Sequence, residues 1–290
     1  MLTHLSSIQS DPLGFLIELM YLIPSILIAL TLHELGHAYA AKRCGDPTAE
    51  MLGRLSFNPL KHLDPLGTAS MFLIGVGWAK PVPVNPRNFR HYRRDDIIVS
   101  AAGITVNLCL FILGTLLSVI CVKIMCPEDF LRWMPDMQQG MAESIRGQYR
   151  GDMPLMVRET VRYLESPPAR FLIWTGLYNG DFLEEFLKYF SLNHAWLIYV
   201  LRFLGVFCSL NIGLAVFNLL PFPPLDGYRL ANELIFRGRW RLTPQVLRVS
   251  VVALLVINYA TDWLSYALYY AASGVQTALL WILLPLFGMA

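Results

Sequence analysis

The sequence predicts an all-α polytopic membrane protein with about five transmembrane helices and a small β or re-entrant element after the first helix. Three observations predict it. Hydrophobic residues make up 55 % of the 290-residue chain and charged residues only 15 %, with a mean hydropathy of +0.48; a soluble domain carries about a quarter charged residues. Apolar runs long enough to cross a hydrocarbon core, about 20 residues each, recur along the chain. Basic residues gather in two of the segments between those runs.

The first run covers residues 13–41, with Glu18 near its start. No basic stretch precedes it and no small-residue cleavage site follows it, so it reads as a retained span rather than a cleaved signal. The second run, 97–122, has no charge at all. A third covers 197–228, with Arg202 near its start and Asp226 near its end. From 249 to 290 the only charge is Asp262, and Ala272-Ser273-Gly274 offers a break that would divide this stretch into two spans. Residues 66–79 are apolar but short and interrupted by Gly67, Gly75 and Gly77, which fits a re-entrant or interfacial segment.

Charge sets the expected orientation. Residues 42–96 carry nine Lys/Arg against five acids, and Arg229 to Arg248 holds five Arg against Glu233. Both segments should face the cytoplasm. The stretch 126–195 carries seven Lys/Arg and ten Asp/Glu and should face outward. The expected organisation is a first half, 1–125, an extracytoplasmic insert, 126–195, a third-span region, 196–240, and a pair of C-terminal spans, 241–290. The insert could serve as a small cap, an amphipathic surface segment or a partner site. A net charge of +2 offers no broad basic surface for nucleic acid. The 5 cysteines, without a CxxC pair, read as small buried hydrophobes.

The chemistry-bearing residues sit inside the first span. His33 and His37 are spaced i, i+4, which places both imidazoles on one helix face. Glu34 follows His33 directly. This is the His-Glu-x-x-His pattern of two zinc ligands and a general base. Ionisable groups inside a spanning helix are costly unless they serve function. A catalytic zinc commonly takes three protein ligands and leaves a fourth position to water. The best third candidate is Asp226, in Asn218-Leu-Leu-Pro221-Phe-Pro223-Pro224-Leu-Asp226-Gly227, where three prolines and a glycine must break the helix. His37 lies five residues before Lys42 and Asp226 three before Arg229, so both fall near the cytoplasmic end of their spans.

The paired motifs HELGH and NLLPFPPLDG closely resemble the site-2 protease family of intramembrane zinc metalloproteases. Residues 52–61 and 77–86 also look like family segments, and the resemblance covers 13–110 and 200–235. It implies one zinc ion on His33, His37 and Asp226, with Glu34 as the catalytic acid/base. The family's Gly-Pro-x-x-Asn pattern appears here as Gly103-Ile104-Thr105-Val106-Asn107, without the proline; Asn107 is expected to support the site. Asn218 is a candidate for a hydrogen bond to substrate or ligand, or else it caps the helix break. Met51 to Phe57 and Trp78 to Val84 are expected to form short strands, with Trp78 and Val82 gripping an unwound substrate along an edge to which Pro81 and Pro83 confine it.

The expected activity is zinc-dependent endoproteolysis of transmembrane segments in other membrane proteins, in the manner of regulated intramembrane proteolysis. The expected setting is a prokaryotic cell membrane, with the site near its cytoplasmic side. The competing expectation is a non-proteolytic membrane zinc-binding protein or a zinc transporter. Glu34 and the lack of internal repeats weigh against that reading.

Overall fold

The computed structural model describes residues 12–65, 67, 79–149, 154–169, 171–172, 192–239, 243, 250 and 263–289. The chain divides into two compact units, Met1–Phe111 with Val206–Ala272 and Ile112–Gly205 with Ser273–Ala290.

The elements follow the apolar runs. Helix α1 (Pro12–Cys44) is followed by the short α2 (Thr48–Met51) and two single 3₁₀ turns, Pro59–Lys61 and Pro86–Asn88. Helix α3 (Tyr92–Met125) comes next, then α4 (Glu128–Tyr149) and α5 (Leu155–Leu164). Then come α6 (Leu197–Leu219), α7 (Asp226–Leu234) and α8 (Trp263–Leu286). Four helices among the described residues are long and apolar enough to cross a membrane: α1, α3, α6 and the Tyr269–Leu286 part of α8. At 1.5 Å per residue α1 is roughly 50 Å long, more than a hydrocarbon core of about 30 Å requires.

Two expectations are corrected here. The break at 272–274 does not form, because α8 runs through Ala272, Ser273 and Gly274 without interruption. Alanine favours helix, and one glycine costs only about 1 kcal/mol against it. Four spans are seen among the described residues, and residues 251–262, which a fifth would need, lie outside them. The small β element is also absent among the described residues. Met51 ends a helix rather than starting a strand, and the only β pairing among the described residues of the loop is an isolated antiparallel bridge between Leu63 and Ala79. Prolines explain this. Pro81, Pro83 and Pro86 remove ladder donors, and Asn58 and Asn85 cap the 3₁₀ turns that begin at Pro59 and Pro86 by accepting from Leu60 N–H and Arg87 N–H. The proposed re-entrant segment 66–79 and Trp78 lie almost wholly or wholly outside the described residues, as does the helix-like stretch 181–190.

In the first unit, small residues bring α1 and α3 together. A Cβ on Gly36 would stand 2.8 Å from Val106 Cγ2 and 3.3 Å from the Ala102 carbonyl oxygen. Ala40, Ala41, Cys44, Phe89 and Val99 close the packing towards the end of α1. Side chains such as Leu13, Leu16 and Met20 on α1 stay exposed, as lipid-facing positions do. In the second unit, Val119, Val122 and Met125 of α3 pack with Phe130, Leu197, Leu201, Leu280 and Leu284.

Just past α1, Asp46 organises the loop. Its fully buried carboxylate accepts from Thr48 N–H at 3.1 Å, Asn85 N–H at 2.7 Å and Asn88 Nδ2 at 2.8 Å, and from the Thr48 hydroxyl. Burial alone would raise its pKa, but these donors outweigh burial and hold it below the ordinary carboxylate range. Its contribution to stability is therefore present above the unfolded-state pKa and is lost as pH falls through the lower folded value. Asp46→Ala should cost about 1–3 kcal/mol at neutral pH by orphaning these donors. Unfolding followed in detergent should show the gap between variant and wild type closing as the medium is acidified below the carboxylate range.

Candidate metal centre

The site is built from the last third of α1, the middle of α3 and the start of α7, all within the first unit. Helical periodicity stacks His33 and His37 on the buried face of α1, with ring centroids 4.8 Å apart and planes at 79°. His33, Glu34 and His37 are buried residues, each under 10 % exposed. Helix α3 offers three positions four residues apart to this face. Val99 presents its carbonyl oxygen, 2.7 Å from His37 Nδ1. Asn107 presents Oδ1, 3.2 Å from His33 Nδ1. Between them Gly103 presents nothing: a Cβ there would lie 2.5 Å from both His37 Nε2 and His33 Cε1.

Asp226 arrives through the proline turn. Helix α6 ends at Leu219, and hydrogen bonds from Leu220 N–H to Phe217 O and from Leu225 N–H to Phe222 O carry the chain around, with a cis Pro223–Pro224 bond. A Cβ on Gly227 would collide with the Leu219 and Leu220 backbone, so glycine is required where α7 folds back on the end of α6. Arg229 Nη2 pairs with Asp96 Oδ1 at 2.6 Å, and Arg93 Nε donates to the Glu233 carbonyl at 3.0 Å. These bonds fasten α7 to the start of α3.

The result is a triangle of atoms that could hold a metal ion. Asp226 Oδ2 lies 3.1 Å from His37 Nε2 and 3.3 Å from His33 Nε2, and the two Nε2 atoms are 3.2 Å apart. Val99 O and Asn107 Oδ1 can only accept, so each Nδ1 carries a proton, and a neutral ring then presents a lone pair at Nε2. With both rings neutral, two lone pairs and a carboxylate oxygen converge on one point, an arrangement that suits a cation. Ligand atoms of tetrahedral Zn²⁺, bonded at about 2.0–2.2 Å, stand about 3.3 Å from one another. The donor set and its spacing fit that ion. Among the described residues this is the one His/Cys/Asp/Glu group that could hold a metal.

The profile of Peptidase family M50 matches residues 21–257. The chain belongs to Peptidase family M50. It is 30 % identical over 249 residues to YwhC of Bacillus subtilis, a protein named as a zinc metalloprotease, covering 86 % of this chain and 84 % of that one. It is also similar to two mycobacterial proteins, both called Rip2 and likewise named as zinc metalloproteases. The Mycolicibacterium smegmatis protein is 33 % identical over 107 residues, and the Mycobacterium tuberculosis protein 35 % over 109. Each match covers 41 % of the Rip2 chain, and 35 % and 36 % of this one. No solved structure matches. As an M50 member the chain is a zinc metalloprotease of the membrane, and the zinc-transporter alternative falls away.

The other expected site residues divide. Asn107 contacts His33 directly. Val82 reaches Glu34, but through its backbone: its N–H donates to Glu34 Oε2 at 2.8 Å. Asn218 donates Nδ2 to the Leu214 carbonyl one turn back on α6, at 3.0 Å, as a residue near a helix end does. Trp78 lies outside the described residues. Sequence reasoning missed Val99, which acts through a carbonyl that any residue supplies. It also passed over Gly103 as an element of the site, although the four-residue spacing Val99–Gly103–Asn107 opposite His37 and His33 was there to be read.

Gly103→Ala should push the imidazoles apart and lower zinc bound per purified chain, whereas Gly213→Ala on α6, where a Cβ meets open space, should leave zinc content unchanged. Asn107→Ala should weaken zinc affinity by roughly 10–100-fold, as loss of a partner behind a ligand does. Competition with a chelator, followed by elemental analysis, measures both effects.

Proposed function

We propose that this M50 metalloprotease cuts transmembrane segments of other membrane proteins, within or beside the bilayer, as a regulated intramembrane protease working near the cytoplasmic face of a prokaryotic cell membrane. The observation that carries this reading is the position of the metal triangle. Two of its ligands belong to α1, a helix long and apolar enough to span, and the third follows the end of α6, another such helix. The excess of basic residues in 42–96 and in 229–248 supports the cytoplasmic side for the ends of α1 and α6 that bear the ligands.

His33, His37 and Asp226 would hold the zinc ion. Bound there, zinc supplies Lewis acidity, which lowers the pKa of an attacking water to about 7 and polarises the scissile carbonyl. Glu34 is the general base: it takes a proton from the water as the water oxygen bonds to the scissile carbonyl carbon, and returns it to the nitrogen as the C–N bond breaks. Val82 N–H occupies Oε2 of this carboxylate, which leaves Oε1 to accept the proton. Val99 and Asn107 keep each histidine in the tautomer that offers Nε2. A helical substrate hides its carbonyls in its own hydrogen bonds and must unwind before it can react.

Glu34→Gln should retain zinc and lose cleavage of a membrane-anchored reporter, by a factor of at least about 100. Comparison of membrane proteomes with the wild-type chain and with this variant should reveal a single-pass protein that accumulates only with the variant. Undiminished reporter cleavage by Glu34→Gln would end the base assignment.

A further inference from the structure

A strap of chain reaches Glu34 through a backbone N–H, and the residues that anchor it are not among His33, His37 and Asp226. It begins at Lys80, whose backbone is fixed at both polar groups. Lys80 N–H donates to the His62 carbonyl at 2.9 Å. Its own carbonyl accepts from Arg54 Nη2 at 2.6 Å, across 26 residues of sequence. Neither anchor lies loose on the surface. Arg54 is 8 % exposed, and His62 is fully buried, with Nε2 donating to the Ser56 carbonyl at 2.8 Å. At the far end Asn85 N–H is held by Asp46 Oδ2.

Between these anchors the sequence is Pro81-Val82-Pro83-Val84. Prolines have no N–H and a fixed φ. Val82 therefore carries the single backbone donor in Pro81–Pro83, and the two rings stiffen the chain on either side of it. That one donor meets Glu34 Oε2. A guanidinium in a buried site is costly unless it is put to use, and here it pins the carbonyl two residues before that donor.

We propose that Arg54 is a positioning residue for catalysis: through Lys80 and the proline-flanked Val82 N–H it fixes the rotamer of the Glu34 carboxylate. This rests on the reading of Glu34 as the general base. Preorganising a base in this way acts on the chemical step, so its loss lowers kcat while leaving KM and the metal in place.

The test uses the purified full chain, loaded with zinc, and a fluorogenic single-pass transmembrane peptide that the wild type cleaves. Val82→Pro removes the donor and should lower kcat by roughly 10–100-fold, with KM and zinc content unchanged. Val82→Ala keeps the donor and should lose far less. Arg54→Met should fall towards the Val82→Pro value, and Arg54→Lys, which still carries an N–H for the Lys80 carbonyl, should recover part of the loss. The double variant Arg54→Met/Val82→Pro should be no slower than Val82→Pro alone, because both changes break one chain of contacts. The proposal is overturned by wild-type kcat in Val82→Pro, by losses that multiply in the double variant, or by a fall in kcat matched by a fall in zinc or in folded protein. Glu34→Gln run alongside separates the two levels. If it still cleaves, the base assignment itself fails; if it is inactive while Val82→Pro is fully active, only the strap fails.

Discussion

The structure depends on one electrostatic demand: two imidazole lone pairs and a carboxylate oxygen aimed at the same point, inside an apolar bundle, within 3.1 to 3.3 Å of one another. Without a cation these groups repel, and the low dielectric around them magnifies the repulsion. With a divalent ion the same convergence becomes a strong set of bonds. Much of the local architecture serves to hold that convergence. Glycines at 36 and 103 let α3 approach the histidine face, glycine at 227 lets α7 fold back on α6, and the Arg229–Asp96 and Arg93–Glu233 links keep α7 beside α3. None of these residues is itself a ligand.

Legibility in the sequence tracked the kind of physics involved. The meeting of His33, His37 and Asp226 was legible, because a fixed helical spacing stacks the two rings and a carboxylate on a proline-broken helix is expensive without a partner. The apolar runs marked the helices, since length and hydropathy alone decide whether a segment can span. What escaped was tertiary. Val99 contributes only a carbonyl, and the meaning of Gly103 appears only when a ring is seen where its side chain would be.

The misreadings have a common source as well. The expected strands after α1 weighed β-favouring residues such as Val82 and Val84 above the prolines between them, and the prolines decided the outcome. The expected break at 272–274 gave one glycine a stopping power it lacks when alanine and other helix formers surround it. In each case a local preference was judged without the backbone hydrogen bonds it would gain or forfeit. The same prolines that prevent a sheet leave Val82 as the lone donor beside the carboxylate, so the failed strand and the strap that reaches Glu34 have one cause.

The contact between His37 and Asp226 joins residues 189 positions apart. A ribosome adding roughly 5–20 residues per second takes about ten to forty seconds to travel that distance. Throughout that interval the nascent chain displays a histidine pair lacking its acidic partner, a poor trap for metal. Completion of the three-residue cluster is thereby deferred until the later segment that carries Asp226 has been synthesised.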